Sequence, residues 1–523
     1  MLCLTQHKLF GFLEKVLTVL EGQQKQGYIV GGFVRDWLLA RETNDIDITV
    51  DGDSIEIARQ VAEATGGKFV VLDEANGVAR VVVQAAANEA CGETEVHLDF
   101  SLLSGNIESD LARRDFSINA MAIELRDFVL QRRQIAETKR PAMAPAASVF
   151  PFRIIDPFSG LVDLRAKTVR CLNNKVFEAD ASRLLRAVRL AAELNLNIEP
   201  QTESLIKSYA HIITQVPGER TREELLRLLH LPRAAFHLRY LDRLGLLTSL
   251  IPELKESKGI EQPTLHFWDV FEHSLQTVAA IEFLTREGEW EYGNKEMLEI
   301  APWSQRIEAH LSQKVSGTSN RRVLLKVAGL FHDIAKPRTK SLDDSGRARF
   351  LGHAKEGARM TREILERLRF SNREMDLVED LVYHHLRPMQ MAHEGLPTQR
   401  AVYRYFRDTG DAGIDILFLA LADCLASRGP LLSMDEWKWR CQSVSFVLEE
   451  HERQRSKVLP RKLIDGHDLI STFGLEPGPL IGELLNIVKE AQASGDVTTR
   501  EEALNLVRRE LSRRAKQLSP EVN

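Results

Sequence analysis

The chain has 523 residues, of which 44% are apolar and 28% charged, and its formal net charge is −6. That length exceeds one hydrophobic core and predicts roughly two to four domains. The negative balance excludes a globally basic nucleic-acid binder, so any polyanion must be met by local basic patches. The five cysteines, Cys3, Cys91, Cys171, Cys424 and Cys441, form no CxxC pair. This argues against a zinc ribbon or a disulfide partner and fits the cytoplasm.

The N-terminal MLCLTQHKLFGFLEKVL reads as an amphipathic helix, and no apolar run reaches membrane-spanning length. Residues 28 to 125 alternate short β-branched runs (YIVGG, DIDITV, KFVVL, ARVVVQ, VHLDF) with helical segments such as SIEIARQVAEATG, predicting a compact α/β head. Residues 126 to 153 are rich in Pro, Ala and Ser and read as an exposed insertion or loop. From about 172 the apolar period is helical to the end, with expected boundaries near 251 and 450.

Within the head, Gly31 and Gly32 lie between a strand and a helix carrying Arg35. Two glycines allow close approach of a phosphate to backbone N–H groups, although such a turn is more often only a turn. In Asp45-Ile46-Asp47-Ile48-Thr49-Val50 the strand period sends the aliphatic residues to one face and Asp45 and Asp47 to the other. Adjacent carboxylates repel unless a cation holds them, and two oxygen ligands suit magnesium. Asp99, in Val96-His97-Leu98-Asp99-Phe100, supplies a third acid on another strand. Three carboxylates beside a phosphate turn are the parts of metal-assisted phosphoryl transfer. Arg113 and Arg114 follow, suited to a triphosphate, and Asp115 and Asn119 share a face if their segment is helical.

Asp180 to Leu194 reads as one helix with Asp180, Arg183, Arg186 and Arg189 at every third position, each step rotating by about 60°. An Asp/Arg pair can accept from the exocyclic amine and donate to the ring nitrogen that cytosine and adenine share. An intrahelical ion pair on a solvated face is the plainer reading of D-x-x-R.

These motifs, with Asp156-Pro157-x-x-Gly160-x-x-Asp163-Leu164, Phe177 to Arg189, and Glu219-Arg220 before Glu223 and Glu224, occur in one order over residues 28 to 245. In that order the chain resembles the bacterial class II tRNA nucleotidyltransferase (CCA-adding) and poly(A) polymerase family. The resemblance implies an α+β fold: a polymerase-β-like head with a small mixed sheet, then an all-helical neck, body and tail. It implies template-independent addition of CCA, or part of it, to the tRNA 3′ end from CTP and ATP with Mg2+. Asp45, Asp47 and Asp99 would be catalytic. Gly31, Gly32, Arg35, Arg114, Asp115, Asn119, Asp180, Arg183, Arg186 and Arg189 would bind the nucleotide. One departure stands out: the family has an acid directly before the base-reading aspartate, where this chain has Ala179, with Glu178 one place earlier.

Farther on, His273, His332-Asp333, His353, His384-His385 and Asp423 mark the ends of apolar helical runs. A lone helical histidine is usually a hydrogen-bonded core residue, but imidazole and carboxylate in series suit a transition metal with open positions. The order resembles the HD phosphohydrolase superfamily over about 260 to 430. It implies His273, His332, Asp333 and Asp423 as core ligands of Ni, Mn, Fe or Zn, extended by His353 and by His384 or His385. The basic end of the tail (Arg500, Arg508, Arg509, Arg513, Arg514 and Lys516) resembles the family's tRNA-binding part; intrahelical pairs with Glu501, Glu502 and Glu510 explain each residue equally well. The expected domains are a head (1–171), a base-reading neck (172–250), an HD domain (251–450) and a tail (451–523). The alternatives are a poly(A) polymerase, an enzyme adding only CC or only A, and, in another class, an HD phosphohydrolase with a non-catalytic RNA-binding head.

Overall fold

The computed structural model describes residues 4–85, 94–137, 152–263, 266–391, 395–456, 462–493 and 495–518. The chain forms two compact units, Met1–Ile213 and Thr214–Asn523.

In the first unit the elements run α1 (Leu4–Gly22), β1 (Gly27–Val30), α2 (Gly32–Leu38), β2 (Asp45–Val50), α3 (Ser54–Thr65), β3 (Lys68–Asp73), β4 (Val78–Ala85) and β5 (Thr94–Leu102). There follow α4 (Ile107–Leu111), β6 (Ala122–Glu124), α5 (Leu125–Glu137), β7 (Ile154–Ile155), α6 (Gly160–Arg165), β8 (Thr168–Val169), α7 (Val176–Ala179), α8 (Arg183–Leu194), β9 (Asn197–Ile198) and α9 (Pro200–Tyr209). The main sheet has the order β3-β4-β5-β2-β1-β6-β7. Its pairs are antiparallel except β2 with β5, which gives the small mixed sheet the resemblance implied. Alternation fixes its buried face: Ile46, Ile48 and Val50 on β2 and Val96, Leu98 and Phe100 on β5 are buried, so the intervening acids line the opposite face. Helix α3 covers the sheet. Its N-terminus is set by Asp53, which accepts from the N–H groups of Ile55 and Glu56, and Gly66 in the left-handed region ends it.

The segment expected to be a loop from 126 is helical in part. The helix α5 runs to Glu137 because Leu125, Phe128 and Val129 make a buried stripe, and that periodicity outweighs the polar residues between. The rest of the expected insertion, 138–151, lies outside the described residues, as do Cys3 and Cys91.

The second unit is helical, with short two-stranded pairings. Two of its helices, Val270–Leu284 and Ala412–Arg428, are buried on nearly every side, as expected where apolar residues recur without a polar face. They pack against each other and against Arg321–Phe331. The helix Asn372–His384 starts with a capping box between Ser371 and Glu374. Helix Met434–Ser456 runs through the position where a boundary was expected near 450. Beyond it, Gly466–Phe473, Pro479–Ala493 and Arg500–Leu518 enclose a small core of Leu469, Leu484, Val488, Ala503 and Val507. Several of the tail's basic residues are paired: Arg500 with Asp468, Arg513 with Glu510, and Arg514 with Glu483 and Glu510.

Candidate active sites

The parallel pairing of β2 with β5 puts Asp47 directly beside Asp99 and Asp45 beside His97. Asp45 is exposed, and its Oδ1 lies 2.9 Å from His97 Nδ1. Asp47 is half-buried, and this burial raises its pKa above the ordinary carboxylate value; Asp99 and Asp45 raise it further, and Arg114 and Arg186 oppose them. A carboxylate ionised in such surroundings gains from a cation beside it, and the carboxylate oxygens of Asp45 and Asp47 fit a hard divalent cation. Asp99 is differently placed. Both its oxygens accept from Arg80, at 2.7 Å each, from the facing residue of β4. Arg80 carried no signal in the sequence beyond its place in an apolar strand.

Gly31 adopts φ 71°, and a Cβ there would lie 2.4 Å from Arg114 Nη1 and 3.1 Å from Asp47 Oδ2. The turn thus needs glycine both for its backbone and for the arginine over it. Gly31→Ala is expected to displace the Arg114 guanidinium, costing about tenfold or more in the KM for nucleotide while shifting thermal unfolding by only a few degrees. Steady-state kinetics beside a melting curve check this.

Other residues sit differently from the sequence reading. Arg35, expected to face a phosphate, is buried and donates to Asn119 (2.7 Å) and Asp36. Asp115 and Asn119 are not on an α-helix; Ser117–Asn119 is a single 3-10 turn, and this turn brings Asn119 Nδ2 to 3.0 Å from Asp115 Oδ1. Asp180 is outside α8. It is extended, at φ −155°, and accepts from the backbone N–H and hydroxyl of Ser182, because a short side chain ahead of a helix competes for its free donors. Helix α8 begins at Arg183, which donates to the Arg113 carbonyl at 3.0 Å. Arg186 meets Asp115 at 3.0 Å, and Arg189 is buried against Glu193. Glu178 accepts from the Tyr209 hydroxyl at 2.6 Å and does not replace the missing acid at Ala179. The Asp156 to Asp163 motif braces the 3-10 turn. Asp156 accepts from the N–H groups of Gly160 and Leu161, Asp163 accepts from the Ser117 hydroxyl, and a Cβ on Gly160 would lie 2.3 Å from the Ser117 carbonyl oxygen.

In the second unit six residues converge. Two sets, His273, His332 and Asp423, and Asp333, His353 and His385, each hold their ligand atoms within 4.8 Å of one another. Asp333 joins the sets, its Oδ2 lying 3.3 Å from His273 Nε2 and its Oδ1 3.4 Å from His353 Nε2. His384 is not among them. The helix ends at His384, and the next residue, His385, is turned by about 100° into the core.

The tautomers of three of these histidines follow from their partners. Nδ1 of His332, His353 and His385 lies 2.9, 2.6 and 2.6 Å from the carbonyls of Gly329, Phe350 and Val382. A carbonyl only accepts, so each Nδ1 carries a proton and each ring turns its Nε2 inward. Nε2 of His353 and of His385 face each other at 3.4 Å, an arrangement that a cation between them would reconcile. Burial works against charge on His332, but Asp333 and Asp423 outweigh it and push its pKa up to about 10. His385 is pushed down to about 3 by burial and then by His332.

Three neighbours were not among the residues expected at this centre. Lys336 Nζ lies 2.6 Å from Asp333 Oδ2 and donates to Gln262. The pKa of His266 is held down to about 4 by burial first, then by Lys336 and His273. Beside the cluster is a cavity of about 320 Å³, lined by Lys336, His353, His385 and Arg428 among others.

Carboxylates beside a glycine turn, followed by a helical histidine–aspartate centre, fit a nucleotidyltransferase joined to an HD domain, and comparison with known proteins agrees. The Poly A polymerase head domain model matches residues 27–170, a model described as a probable RNA and SrmB-binding site of polymerase A matches 195–258, the HD domain matches 270–427, and a putative tRNA nucleotidyltransferase domain 2 matches 433–507. An A-adding tRNA nucleotidyltransferase of Deinococcus radiodurans is 33% identical over 92% of this chain and 94% of its own length. A CC-adding tRNA nucleotidyltransferase of Thermus thermophilus is 33% identical over 92% of each. Among solved structures, a Thermotoga maritima CCA-adding enzyme complexed with tRNA shares the fold, with a TM-score of 0.58, 21% identity, and coverage of 97% of this chain and 96% of that one. The chain belongs to the tRNA nucleotidyltransferase family.

Proposed function

We propose that the head adds C and A residues, completing CCA in whole or in part, to the 3′ end of tRNA from CTP and ATP in the presence of Mg2+. The observation that carries this reading is the register of β2 and β5, which sets Asp47 and Asp99 side by side next to the Gly31 turn and Arg114. In nucleotidyl transfer the tRNA 3′ oxygen attacks the α-phosphorus, the bond to the β-phosphate breaks, and pyrophosphate leaves. Asp45 and Asp47 would hold magnesium, which neutralises the charge gathering on phosphate oxygens. Arg114 binds the triphosphate over the turn. Arg80 fixes Asp99 through both oxygens, which suits Asp99 to orient the site rather than to ligate freely. Arg183, at the start of α8, and Asp180, just ahead of it, read the base.

Addition of only CC or only A is a second reading with its own support, since the Deinococcus and Thermus relatives, which match across nine-tenths of their length, are A-adding and CC-adding. Incubation with tRNAs ending before CCA, after C and after CC, with CTP and ATP, decides between the readings by product length. Poly(A) addition would show as products running past one A.

Asp180→Ala removes the acceptor for the exocyclic amine. It is expected to lower C and A incorporation and to raise the relative entry of U or G by about tenfold, the scale of one buried hydrogen bond to a charged group. An unchanged nucleotide preference would remove Asp180 from base reading.

We further propose that the six-residue centre holds transition-metal ions (Ni, Mn, Fe or Zn) and hydrolyses phosphate esters, 2′,3′-cyclic phosphates among them. Mixed imidazole and carboxylate donors favour such metals over magnesium, and a bound ion supplies Lewis-acid polarisation of a phosphoryl oxygen. An HD phosphohydrolase with an inert head fits less well, because the head keeps all three acids. Among the described residues no helix is long and apolar enough to cross a membrane, and the cysteine pattern fits a cytoplasmic enzyme.

A further inference from the structure

Helix α8 is tied to helix α2 by an ion pair and an unbroken line of hydrogen bonds. Arg186 on α8 meets Asp115 Oδ2 at 3.0 Å. Asp115 Oδ1 accepts from the Phe116 N–H at 2.8 Å and from Asn119 Nδ2 at 3.0 Å. Asn119 Oδ1 accepts from Arg35 Nη1 at 2.7 Å, and Arg35 spends its Nε and Nη2 on Asp36. Asp115, Asn119 and Arg35 are 4–7% exposed. The amide of Asn119 has one permitted orientation, since a carboxylate can only accept and a guanidinium can only donate. At one end of the line stands α2, directly behind the Gly31 turn. At the other stands α8, whose first residue is Arg183.

We propose that Arg35 and Asn119 are positioning residues: through Asp115 and Arg186 they set the distance between the phosphate turn and the base-reading helix, and so control nucleotide discrimination without touching the nucleotide. Their polar groups are directed at one another, which separates them from Arg114 over the turn. This rests on the reading of the head as a C- and A-adding site. If the spacing relaxes, triphosphate and base can no longer both be engaged in one pose, and the loss falls on matched bases more than on mismatched ones.

Asn119→Asp tests this with little change of volume. It keeps an acceptor for Arg35 but turns the contact with Asp115 into a like-charge pair. The ratio of kcat/KM for CTP to that for UTP is expected to fall at least about tenfold, the scale of one lost hydrogen bond to a charged group, while the KM for tRNA stays within about twofold. Adding Arg186→Ala should lower the ratio little further, because both changes cut one line. Arg35→Lys, which keeps the charge but not the bidentate grip on Asp36, is the second variant should Asn119→Asp fail to fold, and it should shift the ratio in the same direction. Equal loss for all four nucleotides, an unchanged ratio, or fully multiplicative losses in the double variant would overturn the proposal. A wild-type protein that extends no tRNA with any nucleotide would instead overturn the reading on which it rests.

Discussion

Asp47→Ala is expected to lower nucleotide addition at least about 10³-fold, and Asp45→Ala to do nearly as much, with tRNA binding largely retained. Losing one ligand to a catalytic metal removes several kcal/mol of transition-state stabilisation, and about 1.4 kcal/mol is a factor of ten. Asp47 is the more sensitive position. It is half-buried, it faces Asp99 across the parallel pair, and Arg114 and Arg186 are the cations that act on it. Removing its carboxylate leaves both arginines without that compensation and takes away the oxygen donors beside Asp99, whereas Asp45 sits at the exposed edge. Single-turnover extension alongside a tRNA gel-shift checks the prediction. Substantial incorporation by either variant in magnesium would remove these acids from the chemistry.

The second large effect belongs to the histidine–aspartate centre. His332→Ala with Asp333→Ala should abolish transition-metal binding and hydrolysis of 2′,3′-cyclic phosphates or phosphomonoesters. Nucleotide addition should continue at a near-normal rate, because the head's acids are a separate set with different donors. Removing Asp333 also strips Lys336 of its carboxylate at 2.6 Å, and an unpaired buried cation costs roughly 3–5 kcal/mol. His385→Gln is therefore the gentler companion, since no buried cation is paired to that ring, and it should weaken metal retention without unfolding. Metal analysis and circular dichroism accompany the two assays. A folded wild-type protein that binds no transition metal and hydrolyses none of these substrates would contradict a second catalytic centre.

What the sequence revealed and concealed follows the range of the interactions involved. Period-two alternation is local, so the faces of Asp45, Asp47 and Asp99 were legible. Their adjacency depends on a parallel β2–β5 pairing between segments 52 residues apart, which no local pattern specifies. Arg80 was missed for the same reason, since only the β4 register carries it to Asp99. Asp180 was placed one turn too far into a helix because D-x-x-R fits helical spacing, while the Ser182 donors hold it extended. Arg35 follows a glycine turn as a phosphate ligand would, and its inward rotamer is set by Asn119, distant in sequence. In the second unit the order of histidines and aspartates was clear, but the choice of His385 over His384 depends on where one helix stops. The pairing of Lys336 with Asp333, three residues apart, is a local signal that was available and went unread.

Pyrophosphate release measured against tRNA extension tests the central claim most directly. The acceptors would be an equimolar mixture of tRNA ending before CCA and tRNA ending after CC, in magnesium, with each nucleoside triphosphate alone and then CTP with ATP. One pyrophosphate per nucleotide added is expected, with extension by CTP, by ATP or by both, and far less with UTP or GTP. Binding of tRNA without extension by any of the four nucleotides, or equal extension by all four, would contradict it.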